Sequence, residues 1–120
     1  MSDNIRLTRD AALLLVRIYQ RYLNSKHDGM TDLEARYIGD TKDAIRLFAL
    51  EPDEWYATDL LFELADAGYI SAYKGDNLAN ECALEREGIA RMEHIWLDAL
   101  GPLAKSLSEK ALGLMLKAHS

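Results

Sequence analysis

Apolar residues recur at helical spacing over most of the chain. Ala11, Leu15, Ile18, Tyr19 and Tyr22 share one face of a first helix. Thr8 can cap it, and Asp10 sits in its first turn, where a carboxylate meets the positive end of the helix dipole. Leu13 and Val16 fall outside that face, and so wide an apolar arc predicts a helix covered on two sides. Gly29 supplies the stop. Thr31-Asp32-Leu33-Glu34 is a capping-box pattern opening a helical stretch over residues 31–38, which Gly39-Asp40 interrupts. Thr41 starts another helix that reaches Leu50. Leu50-Glu51-Pro52-Asp53 reads as a turn and a new helix start, with Pro52 suited to a first turn because its missing N–H needs no partner there. That helix runs to Ala67 and stops at Gly68, with Ala57, Leu60, Leu61 and Leu64 facing inward.

The period then changes. Residues 69–73, Tyr-Ile-Ser-Ala-Tyr, are aromatic and β-branched and predict a strand. Lys74-Gly75-Asp76-Asn77 is a turn, with Gly75 allowing the reversal, and residues 78–84 return as the partner strand. Glu85-Arg86-Glu87-Gly88 opens a further helix. Ile89, Met92, Ile95, Trp96 and Ala99 line one side of it, and Arg86, Glu87, Arg91, His94 and Asp98 the other. Gly101-Pro102 breaks the chain before a last amphipathic helix over residues 103–118. Its stripe is Leu103, Leu107, Ala111, Leu114 and Ala118, with Leu112, Met115 and Leu116 beside it.

This order of elements, with residues 60–70 (Leu-Leu-Phe-Glu-Leu-Ala-Asp-Ala-Gly-Tyr-Ile), Gly75-Asp76 and Leu84-Glu85-Arg86-Glu87-Gly88, resembles the winged helix-turn-helix superfamily. The first stretch is similar to the end of a recognition helix, the second to a wing tip, and the third to the segment that follows the second wing strand, with Glu85 where that pattern has threonine. The resemblance spans about residues 41–95, and the chain also resembles the small prophage-type YjcQ-like proteins. It implies a mainly α fold: a three-helix core and a β-hairpin wing, with extra N- and C-terminal helices. The expected organisation is one domain over residues 1–120, with a core at about 31–98 and terminal helices at about 8–27 and 103–118. Leu60, Leu61, Leu64, Ile70, Ile89, Met92 and Trp96 are the expected core.

The resemblance also implies DNA binding by the second helix of the helix-turn-helix in the major groove. Charge argues against it. The chain has 120 residues and a net charge of −6, and the sign is unevenly spread. Residues 1–27 carry a net +3, residues 28–66 a net −8 and residues 67–120 a net −1. Residues 51–66 hold Glu51, Asp53, Glu54, Asp59, Glu63 and Asp66 and no basic side chain, whereas phosphate neutralisation dominates affinity for DNA. On the helix side opposite the core the spacing places Trp55, Thr58, Asp59, Phe62 and Asp66. An aromatic pair rimmed by acids fits a protein interface, and cover by another helix of the same chain is the competing reading.

Candidate chemistry adds little. His27, His94 and His119 are far apart in sequence; His94 and Asp98 are four residues apart but make too few ligands for a structural metal site. The single Cys82 excludes an intramolecular disulfide and falls in a predicted strand, as a buried structural thiol would. Glu85, Glu87 and Glu93 belong to a solvated helix face. No phosphate loop or nucleophile elbow is present, so neither enzymatic activity nor a cofactor or metal is expected. The longest apolar run, residues 11–16, is too short to span a bilayer, and with no signal-peptide pattern the expected location is cytoplasmic.

The expected function is that of a non-enzymatic adaptor or regulator acting through protein contacts, and a homodimer. The expected interface residues are Trp55, Asp59, Phe62 and Asp66, with Leu107 and Leu114 on the last helix. The alternative is a DNA-binding regulator of prophage type, using Arg17 and Arg21 of the basic first helix and Lys74 of the hairpin. A second alternative is an acidic DNA mimic.

Overall fold

A computed structural model describes residues 7–100, with side chains to Ile95. Helix α1 (Arg9–His27) is followed by α2 (Asp32–Arg36), β1 (Tyr37–Gly39), α3 (Thr41–Phe48), α4 (Glu54–Asp66), β2 (Ile70–Gly75), β3 (Leu78–Leu84) and α5 (Arg86–Leu100). The strands form an antiparallel sheet in the order β1-β3-β2. The predicted helix over 103–118 and its Leu107 and Leu114 lie outside the described residues, as does the side chain of Trp96.

The helix starts are set by side-chain oxygens that accept from otherwise unpaired backbone N–H groups. Thr8 accepts from Ala11, Asp53 from Tyr56, and both Thr31/Glu34 and Asp40/Asp43 form reciprocal capping boxes. Asp40, not Thr41, therefore caps α3. Thr41 is the first helical residue, and its hydroxyl turns inward to accept from the Ala79 N–H at 2.9 Å. Pro52 stands outside α4, which begins after the Asp53 cap. Helix α3 ends at Phe48, short of Leu50, where Ala49 turns left-handed (φ 52°).

The stretch predicted as helical to residue 38 stops at Arg36. Tyr37 is already extended, and residues 37–39 pair with β3 as a third strand. Three residues are too few to display a period of two. At the other edge, β2 and β3 are joined by Asp76 and Asn77, both left-handed (φ 54° and 63°), the geometry of a two-residue hairpin turn. Gly75 is the last residue of β2 and not the reversal point. A side chain there would collide with Asn80, whose amide donates to the Gly75 carbonyl at 3.0 Å. Glu81 (φ 52°) lies in the stretch of β3 where its register with β2 shifts, and the Tyr37 hydroxyl donates to it at 2.9 Å.

One core joins these elements. Leu60, Leu61, Leu64, Ile70, Ile89 and Met92 are buried as expected, and Ile95 is exposed although its spacing placed it with them. Helix α1 is part of this core rather than a flanking addition. It packs on α2, α3, α4 and α5 and buries Ala11, Leu14, Leu15, Ile18, Tyr19, Tyr22 and Leu23. Val16 is half-buried against the same core, and Leu13 is left exposed.

Candidate interaction surface

Helix α4 packs against α1, α3, β2 and β3. That cover decides which of its side chains reach solvent. Ala57, Leu60, Leu61 and Leu64 are buried, and so is Thr58, which the spacing placed outward. The reason is α3: the Thr58 hydroxyl lies 2.9 Å from that of Thr41, a buried polar pair that also serves Ala79. Phe62 likewise leaves the outward set, half-buried against the core. Of the predicted outward set Trp55 (67% exposed), Asp59 and Asp66 remain exposed, and Glu54 and Tyr56 in the first turn are exposed as well. Trp55 and Phe62 do not form one open aromatic patch.

Two contacts fasten this helix to α1. The Glu63 carboxylate accepts from the Thr8 backbone N–H at 2.6 Å and from its hydroxyl at 2.8 Å. The Tyr56 hydroxyl donates to Asp10. That hydrogen bond, with some burial and the negative charges of Asp10 and Glu63, holds the Tyr56 phenol above its ordinary pKa.

The candidate nucleic-acid contacts are not assembled into one surface by hydrogen bonding. Arg17 donates to the Phe48 carbonyl at 2.8 Å, satisfying a carbonyl at the end of α3. Arg21 donates to the Tyr37 carbonyl at 2.8 Å, and burial lowers its pKa. Both guanidinium groups thus brace neighbouring elements. Lys74 is exposed at the hairpin end of β2.

The sequence did not point to a second polar centre. Asp32 accepts from the Tyr22 hydroxyl at 2.6 Å and faces Lys26 at 3.4 Å, Arg36 at 3.0 Å and Arg86 at 3.8 Å. The Tyr22 hydrogen bond is the largest influence on its carboxyl and holds it below the usual range; burial opposes it, and Lys26 and Arg36 add to the lowering. Three elements, α1, α2 and α5, would have to be placed before this cluster could be read, and of the ion pairs only Asp32–Arg36 lies within one helix. Two exposed apolar groups were also missed: Met30, Leu33 and Tyr37 around α2, and Leu13 with Tyr56 between α1 and α4.

Cys82 is fully buried in β3, and burial pushes its thiol up to about 12. A thiol reagent at pH 8 is therefore expected to leave the native chain unmodified and to label it fully in denaturant. Rapid native labelling would contradict the buried placement. Among the described residues no group of His, Cys, Asp and Glu could hold a metal ion, and no helix is long and apolar enough to cross a membrane. No protein-family model, curated protein or solved structure matches the chain.

Proposed function

We propose that the chain is a winged-helix protein that works as a non-enzymatic adaptor or regulator, using α4 to contact protein rather than to read DNA. The order of helices and strands and the β1-β3-β2 sheet support the winged-helix reading. The observation that carries the function is the solvent strip of α4: Trp55 beside Asp59 and Asp66, on a stretch with no basic residue. Carboxylates at that strip repel phosphate, whereas an exposed tryptophan rimmed by acids suits a protein contact, where tryptophan is enriched among the residues that dominate affinity. Arg17 and Arg21, the best cations for the DNA-binding alternative, each give one donor to a backbone carbonyl, and Arg21 is half-buried.

The test is fluorescence anisotropy with mixed duplex fragments at low salt. Binding no tighter than the ordinary non-specific range, roughly 10⁻⁴ to 10⁻⁶ M, is expected. Asp59→Ala is expected to leave it unchanged. Nanomolar binding to one duplex that Asp59→Ala abolishes would make α4 a reader of DNA and overturn the proposal. If binding is instead lost with Arg17→Ala or Arg21→Ala, with a salt slope lower by about one per lost phosphate contact, the N-terminal helix carries it.

A further inference from the structure

A cavity of about 640 Å³ opens beside α2, between α1 and the β1 edge of the sheet. Its size is that of small-molecule sites, about 300–1,000 Å³. Met30 (44% exposed), Leu33 (72%) and Tyr37 (47%) leave large apolar surfaces around it. Single apolar side chains in water are ordinary, but these three meet around one cavity. None of its lining residues belongs to α4, so the cavity is separate from the protein-contacting surface proposed above.

One cation in the cavity has no counter-charge. Arg21 is half-buried, and its Nη1 donates to the Tyr37 carbonyl at 2.8 Å. Among the described residues no carboxylate pairs with it. Burial lowers its pKa, and no nearby carboxylate offsets the effect. A guanidinium carries several further N–H donors in one plane, suited to a carboxylate. The other guanidinium of the cavity, Arg36, is already engaged: it donates to the Leu84 carbonyl at 3.3 Å and pairs with Asp32 at 3.0 Å. Glu34 and Glu85 also line the cavity, outside ion-pair distance of Arg21. The Glu34 carboxylate is turned to the Thr31 cap, where it accepts from the backbone N–H at 3.1 Å and the hydroxyl at 2.9 Å. These two carboxylates limit the charge the cavity takes. A dianion would meet their repulsion, whereas a single negative charge is matched by Arg21.

We propose that this cavity binds a small amphiphilic monocarboxylate, with the carboxylate on the remaining N–H groups of Arg21 and the hydrocarbon part against Met30, Leu33 and Tyr37. A carboxylate there supplies the charge that Arg21 lacks, and an alkyl or aryl body covers apolar surface that otherwise faces water. The wall is formed in advance. The Tyr37 hydroxyl is tied to Glu81 at 2.9 Å and its carbonyl to Arg21, so binding has little to order.

Titration of the full chain with octanoate, followed by amide chemical shifts, tests the site. Saturable shifts are expected around residues 21, 30–37 and 83–85, with a Kd of about 1 mM or tighter. Octanol and octylamine, with the same tail and no negative charge, should bind about tenfold more weakly or worse. Arg21→Gln should weaken octanoate about tenfold and leave octanol unchanged, whereas general loosening of the cavity would weaken both. Leu33→Asp changes an exposed position that the fold does not need, and so decides the matter should Arg21→Gln fail to fold. It should weaken octanoate about tenfold by replacing an apolar wall with a like charge. Absent or non-saturable shifts, or shifts centred elsewhere, overturn the proposal. Octylamine binding as well as octanoate would mark an adventitious apolar patch only and overturns it too. So does an Arg21→Gln chain that keeps octanoate or loses octanoate and octanol alike, or a Leu33→Asp chain that binds octanoate as the wild type does.

Discussion

Leu64→Ala is expected to lower the free energy of unfolding by about 2–5 kcal/mol, the range for truncating a fully buried leucine. Leu64 has no solvent exposure and sits on α4 beside Leu61, which has none either. Helix α4 is held on several sides at once, by α1, α3, β2 and β3. A cavity under it cannot be closed by sliding one neighbour inward, because Glu63 is fixed to Thr8 at one flank and Thr58 to Thr41 at another. The loss should therefore fall in the upper half of the range, a large share of the roughly 5–15 kcal/mol typical of a domain. Urea unfolding provides the measurement, with a lower midpoint and an unchanged slope as the expected pattern. Leu33→Ala is the control. The same chemical change at a residue 72% exposed should stay within about 0.5 kcal/mol. A Leu64→Ala cost below about 1 kcal/mol would mean that this helix does not carry the core.

How legible the fold was in sequence depended on how local each cause is. The inward stripe of α4 and the extent of α1 followed from residues a few positions apart, and β3 spans the predicted 78–84. The three-residue β1 had no local signal: its strand conformation depends on β3, more than forty residues later in the chain. The outward face of α4 was misjudged at Thr58 and Phe62 for a related reason. Spacing gives the centre of a buried arc, but its width depends on how many neighbours cover the helix, and here α3 and the sheet extend it.

The candidate surface was legible in charge and less so in shape. Six carboxylates and no cation over residues 51–66 are a property of the sequence, and the exposure of Trp55, Asp59 and Asp66 keeps it relevant. The exposed pair of Leu13 and Tyr56 had only one hint, the position of Leu13 off the main apolar face of α1. Contacts that shape this region, Thr8 with Glu63 and Asp10 with Tyr56, join residues 55 and 46 positions apart. No pattern within one helix can announce them. The same holds for the cations around Asp32, which come from α1, α2 and α5.

Gly88→Ala is expected to destabilise the chain by about 1–3 kcal/mol net, reversing the gain that such a change brings in an ordinary helix. Within an exposed helix, glycine to alanine improves stability by roughly 1 kcal/mol, because alanine loses less backbone freedom on folding. Gly88 lies near the start of α5, where the helix presses on the segment entering β2. A methyl group there would overlap the Tyr69 carbonyl oxygen and approach Leu84 Cδ1 to 2.9 Å. The carbonyl has no room to yield, since it accepts from the Glu85 N–H at 2.9 Å and so joins the start of β2 to the residue preceding α5. Overpacking of this kind costs about 1–3 kcal/mol, and displacing the carbonyl adds the loss of a backbone hydrogen bond, about 1 kcal/mol. Together these outweigh the propensity gain. Since α5 covers the core through Ile89 and Met92, moving the helix outward to relieve the overlap would open that cover. Denaturant unfolding decides the sign. A stabilised Gly88→Ala variant would show that α5 stands further from Tyr69 than this packing has it. A destabilised one would explain in steric terms why glycine follows the hairpin at this point.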